Sequence, residues 1–162
     1  MKKFLLIISA LTLVLTAGAQ TKESVIKGIE KAQATAENPK KATNPTTWIK
    51  LADAYVDAYT FSQGGVWIGA QAMEAKLVLK GQQVLSSEVK NYSGADYTVD
   101  TYEDKALYYN AQGLLEVIQI LKPVVDQPLE KAYDAYIKAY EVDVKGTKKE
   151  DIAEKLIALR DK

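Results

Sequence analysis

The feature that most constrains the fold is the spacing of apolar side chains between residues 44 and 59. They recur every three or four residues, which places them on one face of an α-helix. The residues on this face are Trp48, Leu51, Ala52, Tyr55, Val56 and Tyr59. Asn44 is a favourable N-cap, and Pro45 fits the first helical position because an amide there would have no partner. The pattern predicts a helix over about residues 45–60.

The N-terminus has the three parts of a secretory signal peptide, predicted for residues 1–19. A pair of lysines opens it, residues 4–15 form an apolar run too short to span a bilayer, and an A-x-A cleavage site ends at Ala19. A retained N-terminal anchor is the alternative. Because no cysteine follows the apolar run, a lipoprotein is not expected. We predict that residues 20–162 are one periplasmic domain, exported by a cleaved signal peptide and without stable membrane insertion.

Composition narrows the function classes. The chain has no histidine and no cysteine, which excludes Ser–His–Asp and Cys–His nucleophiles, disulfides and most zinc sites. It carries 21 basic and 21 acidic residues, so loss of the two N-terminal lysines would leave the mature chain slightly acidic. Nucleic acid, which needs a basic patch, is therefore not an expected partner. The close carboxylates Asp100, Glu103 and Asp104 could act as acid and base, but a solvated loop is the simpler interpretation. No cofactor or metal is expected, and a non-enzymatic role is favoured.

Three other helices have recognisable start signals. Their predicted bounds are about residues 21–37, 127–143 and 148–160. Thr21 and Asp126 can each act as an N-cap at the start of a helix. The sequence from Thr147 to Glu150 matches a capping box, in which the two side chains exchange hydrogen bonds with each other's backbone amides.

The segment of about residues 64–125, between the predicted helices 45–60 and 127–143, differs from them in composition. Residues 66–80 fit either a helix or a strand, and a helix from about Gly69 that ends at Gly81 is favoured, because Ala, Met, Glu and Lys are good helix formers. Two strands are predicted over about residues 84–92 and 97–102, with a turn between them.

Residues 105–121 also fit two structures. A helix is the alternative, but a second β-hairpin is favoured. Gly113 can supply the positive φ that such a turn often requires, and residues 114–121 are rich in Leu, Ile and Val. The insert is therefore predicted to contain two β-hairpins.

Two of the helices carry a pattern that resembles the tetratricopeptide repeat (TPR), a pair of antiparallel helices. The matching positions of the first helix are Trp48, Leu51, Ala52 and Tyr55. Those of the second helix are Ala132, Tyr136 and Ala139. In such a pair the small residues let the two backbones approach, and the large ones fill the space beside them. The resemblance implies a protein-interaction scaffold whose partner is another envelope protein or a peptide.

The chain departs from the repeat in length, because roughly sixty residues separate the two half-motifs of a unit that normally has about 34. Val144 also stands where the repeat usually has proline. We predict a mainly α fold with a β insertion (α+β), in which a TPR-like helical hairpin is interrupted by residues 64–125. The resemblance further implies the N-terminal part of a longer exported bacterial protein of uncharacterised function. An uncovered face on the last helix would then favour self-association.

The chain has ten tyrosines, and those of the helices are expected to pack in the core. The aromatic residues of the insert are candidates for a ligand- or partner-binding surface. They are Trp67, Tyr92, Tyr97, Tyr102 and Tyr108, with Tyr109 adjacent. Cross-strand aromatic pairing is the simpler interpretation of the same residues. The favoured function is an exported non-enzymatic scaffold, and the alternative is a glycan- or peptide-binding module that uses this surface.

Overall fold

The computed structural model describes residues 20–160 and residue 162; the predicted signal peptide lies outside them. Within this part of the chain, five helices and four strands form a mixed α+β fold, which confirms the predicted class at that level. The helices are α1 (Lys22–Ala36), α2 (Pro45–Gln63), α3 (Ala72–Val78), α4 (Pro128–Val142) and α5 (Lys149–Arg160). The strands are β1 (Ser86–Tyr92), β2 (Ala95–Thr101), β3 (Lys105–Tyr109) and β4 (Leu115–Ile120).

Four helices, α1, α2, α4 and α5, share one hydrophobic core. Helix α2 is central, with α1 and α4 packed against it. The first residues of α2 lie beside the last residues of α4, and its last residues lie beside the first residues of α4. The two helices are therefore antiparallel neighbours, although α3 and the whole sheet separate them in the sequence.

The residues that carry the repeat-like pattern lie in this core. Those that are buried are Leu51, Ala52, Tyr55, Ala132, Tyr136 and Ala139. Trp48 is half-buried, and its Nε1 donates a hydrogen bond to the carbonyl oxygen of Ala42 (2.7 Å). The Tyr136 hydroxyl donates to the Asp53 carboxylate (2.6 Å), which also accepts from Lys155 of α5 (3.0 Å). Asp53 thus joins three helices through one side chain.

The predicted start signals hold at two helices and are wrong at two. Thr21 and Asn44 accept hydrogen bonds from the first-turn amides of α1 and α2. Asp126 does not cap α4: Gln127 is the N-cap, in a left-handed conformation (φ +48°) without a side-chain cap bond. The capping box at Thr147 is replaced by the buried Asp143, which accepts from the amides of residues 147 and 148 at 3.2 and 2.6 Å. Asp143 is the C-cap of α4 and is 3% exposed, so its carboxylate is held beside these amides, which bond it in a charge-assisted way.

The four strands form an antiparallel sheet in the order β1-β2-β3-β4, so both predicted hairpins are confirmed. The first turns at Ser93 and Gly94, both at positive φ as a two-residue hairpin loop requires, and is tighter than predicted. The second turns between Asn110 and Gly113, where the Asn110 side chain accepts the amides of residues 112 and 114.

Helix α3 covers one face of the sheet and is shorter than predicted. It begins at Ala72, because Gly69 has a left-handed φ (+89°) and the chain there runs along β4. The amide of Gly69 donates to Leu115, whose own amide donates to Ala70. The helix ends at Val78, before Gly81. The core on this face contains Val66, Ala70, Ala75, Leu79, Tyr102, Leu107, Tyr109 and Leu115.

Candidate functional site

The opposite face of the sheet carries a cluster of three tyrosines from three strands. Tyr92, Tyr97 and Tyr108 belong to β1, β2 and β3. The ring centroids are 6.3 Å apart for Tyr92 and Tyr97, 6.1 Å for Tyr97 and Tyr108, and 5.4 Å for Tyr92 and Tyr108. The interplanar angles of 56–76° are edge-on or tilted geometries that aromatic pairs prefer. We call these three residues the tyrosine cluster.

Strand register explains why these three side chains meet. Tyr97 pairs with Lys90 and Tyr108 pairs with Val99, so each tyrosine is diagonal to the next on the same face. Diagonal neighbours in a sheet are within reach of aromatic side chains. Tyr108 is buried beneath the other two rings, whereas Tyr92 is 47% exposed. The surface therefore presents ring edges and faces over a buried base of Val99 and Tyr108.

Polar side chains fix the tyrosine hydroxyls at the rim. Glu116 lies at a bulge between β3 and β4 and accepts from the Tyr97 hydroxyl (2.9 Å) and from Asn110 Nδ2 (2.6 Å). The hydrogen bond to Glu116 raises the pKa of Tyr97 above its usual value. The Tyr108 hydroxyl donates to Gln119 (2.7 Å). These two bonds fix the orientations of the Tyr97 and Tyr108 hydroxyls.

The structure separates the other two predicted aromatic residues from this cluster. Tyr102 is 2% exposed and lies in the core under α3, on the opposite side of the sheet. Trp67 is 50% exposed but belongs to the connection that precedes α3. The insert aromatics therefore do not form one surface. Residue alternation along the predicted strand 97–102 could have separated Tyr97 from Tyr102 in advance, because side chains five residues apart on a strand point to opposite faces.

The three close carboxylates noted in the sequence each pair with a different lysine. Asp100 is buried, accepts from the Ser87 hydroxyl (2.6 Å) and contacts Lys76 (3.2 Å). Glu103 pairs with Lys122 and Asp104 pairs with Lys105, both at 3.0 Å. These contacts account for the three carboxylates as separate ion pairs.

A second surface, not predicted from the sequence, is an open groove of about 700 Å³ between α4 and α5. Leu129, Leu156 and Leu159 supply its apolar part, while Tyr133 and the acidic Glu130 stand on the α4 side. Its three leucines are only partly buried, and they follow the same helical spacing as the buried core residues, so the apolar periodicity of α4 and α5 does not distinguish the groove from the core.

Within the residues that the structure describes, no three acidic side chains are grouped so as to hold a metal ion. None of the helices in this part of the chain has the length and hydropathy of a bilayer-spanning segment.

Comparison with known proteins assigns this chain to no family. No protein-family model matches it, and neither the curated proteins nor the solved structures give a significant match.

Proposed function

We propose that this protein is a non-enzymatic, TPR-like interaction scaffold that binds another protein or peptide in the bacterial cell envelope. The observation that carries this proposal is the antiparallel packing of α2 on α4, with buried alanines between them, beside the open groove on the next helix pair. Ala52 and Ala139 are fully buried in that core. Small residues at such positions allow close helix packing, as the repeat-like pattern implies.

The groove between α4 and α5 is the surface best suited to a partner. Its apolar residues can take the apolar face of a helix or an extended peptide, which is how helical grooves bind their partners. Exposed aromatic side chains are common anchors in protein interfaces. Tyr133 lines this groove and is 52% exposed. We place the partner there and assign Tyr133 as a contact residue.

Export is part of the same proposal. The predicted cleavage after Ala19 would give a mature protein that begins at Gln20. Intact mass measurement of the protein recovered from the periplasm of an expressing bacterium checks this. A retained N-terminus would instead favour the anchored alternative.

The scaffold proposal is tested by crosslinking the tagged protein in cells and identifying partners in envelope fractions by mass spectrometry. Tyr133→Ser should remove a reproducible partner or reduce its yield about tenfold or more, because an exposed aromatic anchor is lost. Tyr140→Ser is the matched control, since Tyr140 is similarly exposed on α4 but does not line the groove. Equal partner yields from both variants would contradict the assignment of the groove.

The tyrosine cluster supports a second candidate, the binding of a glycan or peptide ligand. Aromatic rings stack on the apolar faces of sugars and on peptide side chains, and here the hydroxyls are already oriented by Glu116 and Gln119. This candidate uses a different surface from the groove, so the two can be tested separately.

The double change Tyr92→Ser and Tyr97→Ser tests the second candidate. Ligands are first selected from an oligosaccharide array and a peptide library and then titrated by calorimetry. Loss of two ring contacts should weaken binding about tenfold or more. Tyr102 is unsuitable for this test because its burial means that Tyr102→Ser would open a cavity in the core. Unchanged affinity in the double variant, with an unchanged circular dichroism spectrum, would exclude the cluster as the site.

A further inference from the structure

Strand β1 forms an edge of the sheet that has no partner strand among the described residues. All seven of its residues are exposed, and Val89 in its centre is 70% exposed. An exposed edge presents a row of unpaired backbone donors and acceptors and can template the addition of another strand.

The alternation of hydrogen-bonded residues along β1 decides which of its backbone groups point toward β2 and which point toward the free edge. Tyr92 and Ala95 flank a two-residue turn, so they form a pair that exchanges backbone hydrogen bonds. The bond from the Tyr102 amide to Lys105, across the next turn, agrees with this alternation along β2. Residues 88, 90 and 92 of β1 therefore bond inward to β2, and residues 87, 89 and 91 direct their amides and carbonyls to the free edge.

The charges on β1 are self-complementary. Glu88 and Lys90 lie two residues apart on the same face as the tyrosine cluster, on either side of Val89, and form an exposed ion pair of 2.9 Å. We propose that β1 pairs with β1 of a second copy, antiparallel and with the two-fold axis at Val89. In this register Glu88 of each copy faces Lys90 of the other, which gives two cross-strand ion pairs.

The neighbouring registers are disfavoured by charge. An axis at residue 88 would place the two Glu88 carboxylates opposite each other, and an axis at residue 90 would do the same with the two Lys90 ammonium groups. Like charges directly opposite each other destabilise a strand pair, while opposite charges stabilise it. The axis at Val89 also brings the outward backbone groups of residues 87, 89 and 91 into bonding pairs. Axes at residues 88 and 90 also bring outward groups together, so backbone pairing permits all three registers and the charges of Glu88 and Lys90 select the axis at Val89.

The resulting assembly is a continuous eight-stranded sheet with both tyrosine clusters on one face. Opposite residues in an antiparallel pair share a face of the sheet, so the clusters flank the central Glu88 and Lys90 side chains. One seven-residue strand from each copy is smaller than a standard dimer interface. We therefore expect a dissociation constant on the order of 100 µM. This inference is independent of the proposed scaffold function.

Sedimentation equilibrium tests the proposal on protein expressed from the full 162-residue sequence, in the form that the cell leaves after processing. Over about 10 µM to 1 mM, the wild type should shift from the monomer mass toward twice that mass. Glu88→Lys alone, or Lys90→Glu alone, should weaken dimerisation about tenfold or more, because attraction becomes repulsion at two places. Both side chains are exposed, so the circular dichroism spectra should not change.

Two further samples isolate the register. An equimolar mixture of Glu88→Lys and Lys90→Glu should form a heterodimer, because every facing pair is again of opposite charge. The double variant, with both charges exchanged in one chain, should dimerise like the wild type. A monomeric wild type throughout the concentration range would overturn the proposal. Single variants that dimerise as well as the wild type would also overturn it, since they would indicate another surface.

Discussion

Replacing Asp104 by alanine should destabilise the protein by about 3–5 kcal/mol, because it leaves a buried ammonium group without its counter-charge. The Lys105 side chain is 1% exposed and its Nζ lies 3.0 Å from Asp104 Oδ2. Gly64 helps to make room for this ammonium group, since a Cβ there would lie 3.0 Å from Nζ. Urea unfolding followed by circular dichroism measures the effect.

Lys105→Met and the double variant are the controls for this prediction. Lys105→Met should cost much less than Asp104→Ala, because it removes the buried charge and leaves a carboxylate that is 40% exposed to water. Adding Lys105→Met to Asp104→Ala should restore most of the lost stability. Asp104 Oδ1 is buried without a hydrogen-bond partner in the described residues, so the pair is incompletely satisfied and its joint removal should be nearly neutral. A loss below about 1 kcal/mol in Asp104→Ala would mean that Lys105 reaches solvent instead.

Alkaline pH should destabilise the protein steeply, because buried tyrosines lose their protons only after unfolding. Burial raises the pKa of Tyr109, with a further contribution from the charges of Tyr102 and Asp100. Burial also raises the pKa of Tyr136, and its hydrogen bond to Asp53 adds to this. The contribution of each group is fully present below the unfolded-state pKa of about 10 and is lost as the pH rises toward the folded-state pKa. Each tyrosine should reduce the free energy of unfolding by about 1.4 kcal/mol per pH unit in that window.

Tyr109→Phe isolates one of these protons. The Tyr109 hydroxyl is buried and has no partner among the described residues, so the change should be neutral or slightly stabilising at pH 7. Above about pH 10.5 the variant should lose stability less steeply than the wild type, by about 1.4 kcal/mol per pH unit. Parallel curves for wild type and Tyr109→Phe would show that Tyr109 ionises in the folded protein.

The sequence predicts the helices and hairpins well because their signals are local. The apolar spacing around Trp48, the N-cap at Asn44 and the positive φ at Gly113 each act within one turn of chain. The errors arise where distant groups decide. The start of α3 is set by pairing with β4, and the start of α5 by Asp143, the C-cap of the previous helix.

The candidate surfaces show the same limit. Strand alternation could place Tyr92, Tyr97 and Tyr108 on one face only once the register was known, and register depends on turn lengths that differ from prediction by a residue or two. The groove between α4 and α5 depends on how closely two helices approach, and helical periodicity does not encode that distance. The position of β1 at an edge of the sheet, on which the proposed self-pairing depends, is likewise visible only in the strand order.

The insertion of the sheet between α2 and α4 has a consequence for how the two halves depend on each other. If the segment between these helices were unfolded, closing a loop of about sixty residues instead of about four would cost roughly 2.4 kcal/mol of chain entropy. The folded sheet removes that cost, because its strands pair only with sequence neighbours and its end returns to α2, where the Val124 amide donates to Ser62 (3.2 Å). The folded sheet therefore stabilises the packing of α2 on α4. Mutations that destabilise the core of the sheet would also weaken contacts between these two helices that involve no sheet residue.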